Sequence, residues 1–191
     1  MSDVPSISEL ERRMRPGAYS EKGFLGRSES LEAVIAHDDQ ALKTLGISHG
    51  QIADALERIL TSVDDQIAQL HGEGKQAELS RRESSWFPRI RAGRLPSTDV
   101  GYLVGGNLQV FIVKYRGFQD CPWECGDPVP PWSMLDFLLL NRQSGEYVTG
   151  PGMIVHLIRE HHFFEGLRSP YRVEPVKAIR VLELAPGAGN L

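Results

Sequence analysis

Cysteine is scarce in this chain: two stand among 191 residues, Cys121 and Cys125. One disulfide is the most they can form, which excludes a disulfide-stapled scaffold. Long apolar runs are missing too, since the stretches at 134–140 and 153–157 fall far short of the ~20 residues that span a bilayer. No membrane partner is expected. The N-terminal stretch, broken by Glu9, Glu11, Arg12, Arg13, Arg15, Glu21 and Lys22, holds no apolar segment followed by a small-residue cleavage site. That pattern reads as a cytoplasmic chain, whose thiols ligate metals or stay free rather than pair. A surplus of charge is also lacking: 21 Lys and Arg stand against 25 Asp and Glu, a net charge of −4. Nothing in this balance draws the whole chain to nucleic acid. No phosphate-binding Gly-rich loop, dinucleotide fingerprint or Gly-x-Ser-x-Gly turn occurs, so nucleotide and serine-hydrolase chemistry have no support.

What is present reads as an ordinary globular chain, 41% hydrophobic and 24% charged, long enough to bury a core without a metal. The first part is helical by pattern. Residues 8–14 form a short helix with Ser8 as a serine cap, stopping at Pro16 and Gly17, and the Gly-punctuated loop at 19–27 carries Phe24 and Leu25 inward. Ser28 or Ser30 caps a second helix through Leu31, Val34, Ile35, Leu42 and Leu45, ended by Gly46. A long amphipathic helix follows Ser48, with Ile52, Ala55, Leu56, Ile59, Leu60, Val63 and Ile67 on its apolar face, and fades near Gly72. From Trp86 onward short apolar runs alternate with Pro and Gly. Residues 102–104 and 108–115 flank Gly105, Gly106 and Asn107, a composition suited to a hairpin, and 136–140 with 146–148 suggest another. Pro151 is expected to open a helix running through His162; residues 175–184 fit either helix or strand, with Pro175 in a first turn and Val176, Ile179 and Leu182 favouring helix. These elements predict an α+β protein: a helical segment at 1–80, an α+β segment at 81–184 organised around a zinc site, and a flexible tail at 185–191.

The zinc expectation rests on Cys-Pro-Trp-Glu-Cys-Gly at 121–126 and on His156 and His161. A zinc ion needs thiolates and neutral imidazoles about 2.0–2.3 Å from one point, so ligands arrive as close pairs on turns and helices. Cys-x3-Cys followed by His-x4-His supplies one pair of each kind. Three of the six histidines and both cysteines fall in this region. At 100° per residue, Ile154, Leu157 and Ile158 share a stripe that His156 and His161 flank, about 140° apart, so a loosened last turn would bring both rings to one metal. His162 projects further away, as a reserve ligand or a group facing a substrate. The bland alternative makes His156 a satisfied core histidine, His161 and His162 surface groups, and the cysteines small buried hydrophobes.

Cys121, Pro122, Cys125 and Gly126 resemble the zinc knuckle of zinc-ribbon and treble-clef proteins, usually Cys-Pro-x-Cys-Gly, with one extra residue here. A hairpin and then a helix bearing the second ligand pair extend the resemblance over 121–162. It implies a Cys2His2 Zn²⁺ site of Cys121, Cys125, His156 and His161, closed and structural because four protein ligands complete a tetrahedron. The function expected is a zinc-binding interaction or regulatory module with an unknown protein partner and no catalytic residue.

Two other functions compete. A zinc-dependent hydrolase or deaminase would need Glu160 or Glu165 as general base on a metal-bound water, but no His-Glu-x-x-His occurs, and the deaminase order of motifs is reversed. A nucleic-acid or phosphate binder would use Arg81, Arg82, Arg89, Arg91 and Arg94 around Trp86 and Phe87. Residues 42–56 resemble a DNA-binding helix-turn-helix, yet the second helix presents Asp54, Glu57, Asp64 and Asp65, which suits a plain helical hairpin better. Arg159, Arg168 and Arg172 would bind a small anion if they gathered. Surface salt bridging is the simpler fate.

Overall fold

The computed structural model describes residues 5–82, 94–117, 120–125 and 134–186. Helix α1, Ile7–Met14, starts from Ser6, whose hydroxyl accepts from the Glu9 N–H, while Ser8 lies inside the first turn rather than at the cap. It buries Leu10 and Met14. The loop beyond it turns Phe24 and Leu25 fully inward, as expected. Helix α2, Leu31–Leu45, is capped by Ser30 and closed by Gly46 at φ 65°, with the Gly46 and Ile47 N–H groups on the Leu42 and Lys43 carbonyls. That left-handed position suits glycine, which carries no Cβ to clash.

Helix α3, His49–Gly72, opens with a reciprocal cap: Ser48 accepts from the Gln51 N–H, and the Gln51 side chain accepts from the Ser48 N–H. Each such cap contributes about 1 kcal/mol. The apolar face from Ile52 to Leu70 is buried, with only Ala68 among its alanines left exposed. A short helix, α4 at Gln76–Arg82, follows; its single buried apolar residue, Leu79, leaves almost no periodic signal.

Four antiparallel strands form one sheet in the order β1, β2, β3, β4: Tyr102–Val104, Leu108–Lys114, Leu135–Asn141 and Tyr147–Pro151. Both expected hairpins are present. Val110 faces Leu139 and Leu138 faces Thr149 across the ladders. Alternation sends Val110, Ile112, Phe137, Leu139 and Val148 to the main core, and Phe111, Leu138 and Leu140 to a smaller cluster with Val100. A strand apolar on both faces reads as a continuous run, which explains the texture of 135–140.

Pro151 ends β4 instead of opening a helix. It lies on an edge strand, where the missing N–H costs no ladder bond. Helix α5 begins later, at Ile154, and ends at His161; His162 is its left-handed cap at φ 54°. Helix α6, Pro175–Val181, has proline in its first turn and Glu174 as cap. Of the expected tail, residues 187–191 lie outside the described residues. One core runs from Leu10 and Met14 through Leu56 and Ile59 to Ile158 and Val181. The N-terminal helices and the sheet with its last helices therefore share their apolar packing. Arg159 of α5 reaches Asp54 and Glu57 of α3 at 2.7 and 2.6 Å.

Candidate metal centre

The turn at Cys121 and the last two turns of α5 bring Cys121, Cys125, His156 and His161 together, one ligand atom from each lying within 4.8 Å of all the others. The two Sγ atoms are 3.8 Å apart, and His161 Nε2 is 3.3 Å from Cys121 Sγ and 3.2 Å from Cys125 Sγ. Tetrahedral bonds of about 2.3 Å to sulfur and 2.0 Å to nitrogen separate two sulfurs by about 3.8 Å, and sulfur from nitrogen by about 3.5 Å. The group is close enough to hold a metal ion, and its spacing is near that of a tetrahedral one. The His156 and His161 rings meet edge to face, centroids 5.2 Å apart. α5 stays helical through His161, so no loosening of the last turn is needed; the two side chains span the angle between them.

The extra residue of Cys-x3-Cys has a definite structural use. Glu124 adopts φ 53°, and its N–H closes a turn on the Cys121 carbonyl at 2.9 Å. A left-handed residue takes up the added length of chain and lets both thiols face the same point. Its carboxylate is held by Arg13 at 2.7 Å and by the Tyr19 hydroxyl at 2.9 Å. These partners hold it below the usual carboxylate range and fasten the turn to α1. Trp123 stacks on His161 with centroids 3.9 Å apart and planes 2° from parallel, and it meets Phe163 edge on. Both residues look like variable filler in the knuckle pattern; their partners lie in distant parts of the chain.

Burial shifts the titration of Cys121 and His161. It pushes the Cys121 thiol up to about 12, with the neighbouring Cys125 adding to the effect. It also lowers His161 to about 4, helped by His156 and His162. A neutral imidazole is ready to ligate. A thiol in this setting gives up its proton only to a cation that replaces it, so metal uptake releases protons.

His162 joins a different neighbourhood, stacked on His49 with centroids 4.1 Å apart. Neither Glu160 nor Glu165 contributes an atom to the Cys and His group. Glu160 is exposed. Glu165 is buried, accepts from the Ser169 hydroxyl, and is raised to about 8 chiefly by burial. The three arginines proposed for an anion do not converge: Arg159 takes Asp54 and Glu57, Arg172 takes Asp38, and the backbone N–H of Arg168 donates to Glu29. In the basic stretch, residues 83–93 lie outside the described residues, Arg82 pairs with Glu78 at 2.9 Å and Arg81 with Asp99 at 3.8 Å.

Among the described residues, no helix is long and apolar enough to cross a membrane. Comparison with known proteins brings no relative to this arrangement: no family model, no curated protein and no solved structure matches the chain.

Proposed function

We propose that Cys121, Cys125, His156 and His161 bind one Zn²⁺ as a closed structural site, and that the chain is a cytoplasmic interaction or regulatory module. The observation that carries this reading is the gathering of two thiols and two imidazoles within 4.8 Å of one another. Mixed sulfur and nitrogen donors suit tetrahedral zinc better than the harder cations. Four protein donors leave no position for a reacting water. The role of the metal is to join the knuckle, fastened to α1 through Glu124, to the last turns of α5 and so to α3. A hydrolase or deaminase would need a carboxylate beside an open position; Glu165 is held by Ser169 and Glu160 stands outside the group. Elemental analysis of the purified chain tests the reading: one zinc per chain, lost together with thermal stability in Cys121→Ser and in His161→Ala. A fully folded chain that takes up no zinc contradicts it.

A further inference from the structure

A second convergence of ligand atoms includes His162, the residue after His161. Asp39 near the middle of α2, His49 at the first position of α3 and His162 at the left-handed cap of α5 each bring one ligand atom within 4.8 Å of the other two. His49 Nε2 is 3.3 Å from the Asp39 carboxylate, is shielded from solvent, and makes no hydrogen bond. The rings of His49 and His162 lie 4.1 Å apart and 9° from parallel. Phe164 closes one side of His49. The neighbouring Asp38 is occupied by Arg172.

We propose that Asp39, His49 and His162 form a second, open site for a divalent transition-metal ion. All three are electron-pair donors, and the Arg172 guanidinium is taken up by Asp38. A cation from solution completes such a set; another protein carboxylate or imidazole does not. Two imidazoles and one carboxylate, without sulfur, select borderline ions such as Zn²⁺, Co²⁺ or Fe²⁺. Three protein donors leave at least one position to water, and the exposure of His162 puts that position at the surface, within reach of a solute.

The present stack does not aim both rings at one point, so binding turns His162 away from His49. That ring is exposed. Consecutive residues thus serve two sites: His161, the last helical residue, faces the cysteines, and His162, reversed by its left-handed backbone, faces α2 and α3. Two cations this close repel one another, which makes the second ion the weaker.

Cobalt titration of the full chain, followed by absorption and by metal analysis after dialysis, separates the two sites. The first equivalent is expected to show the thiolate-to-cobalt charge-transfer band, and a weaker second equivalent to bind without intensifying it. His162→Asn, which keeps a residue tolerant of the left-handed backbone, is expected to weaken the second equivalent by about 100-fold or more and leave the thiolate band intact; loss of a group that only supports a ligand costs about 10–100-fold. Asp39→Asn is expected to do the same, as a check that does not touch α5. A wild-type chain that binds one equivalent only, with the thiolate band, overturns the proposal. So does a His162→Asn chain that still binds two with undiminished affinity. One equivalent without a thiolate band, lost in His162→Asn, supports this site while refuting the cysteine centre.

Discussion

Two polar centres interrupt the shared core, and they are closed in different ways. Asp38 and Arg172 meet as a doubly bonded pair at 3.0 and 2.6 Å, with 1% and 9% of their side chains exposed. Arg172 also donates to the Glu165 carbonyl at 2.6 Å. This centre balances its own charges and ties α2 to the segment after α5. The cysteine and histidine centre has no such internal pair: it gathers two thiols and two imidazoles with no opposite charge among them, and in the function proposed above a cation supplies what the chain does not. The first joint depends on the chain alone; the second, on the proposed reading, depends on an ion supplied from outside.

The comparison breaks most sharply on metal removal. A chelator is expected to lower Tm substantially and expose the knuckle, because structural zinc in small finger peptides contributes about 10–16 kcal/mol of binding free energy; the large core here limits how much of that becomes unfolding. Cys121→Ser is expected to match the chelated protein and to gain nothing from added zinc. A chelator that leaves Tm unchanged would place both centres in the self-sufficient class.

Arg172→Ala strands a buried carboxylate and is expected to cost about 3–5 kcal/mol in denaturant titrations. The loss is expected to be equal with and without zinc, since the two centres share no ligand. A loss that disappears on chelation would mean that they are one cooperative unit.

Glu165→Gln sharpens the comparison through pH. Above about 4.5 the unfolded glutamate ionises while the folded one keeps its proton to about 8. The unfolded state then binds fewer protons, so stability falls as pH rises across that window, by at most about 1.4 kcal/mol per unit. The Gln variant is expected to lose this decline and to be more stable than the parent near pH 8 in denaturant melts. Parallel stability curves for the two proteins would count against a protonated Glu165.

The smallest effect is expected at Glu124→Gln, which loses its charge pairing with Arg13 at the surface. Zinc content should stay unchanged, with a Tm shift near the limit of detection. A large loss of zinc there would make the fastening to α1 part of the metal centre itself.

Much of this fold was legible because its signals are local. Ser48 followed by Gln51 marks the start of α3, Gly46 marks the end of α2, and alternation around the two turns marks both hairpins. The four gathered donors were legible as two closely spaced pairs, Cys121 with Cys125 and His156 with His161. The rest was not local. Pro151 looks like a helix start until the sheet edge beside it is known, and α4 buries too little to leave a pattern. Trp123 and Glu124 show their use only against His161, Arg13 and Tyr19. Asp39, His49 and His162 come from three elements, with no spacing to connect them. Asp38 and Arg172 are separated by most of the chain, and nothing in either neighbourhood predicts that one will bury the other.

X-ray absorption at the zinc edge, on the chain loaded with one equivalent of Zn²⁺, tests the central claim most directly. Two sulfur neighbours at about 2.3 Å and two nitrogen neighbours at about 2.0 Å are the result predicted. A shell of nitrogen and oxygen without sulfur would contradict it.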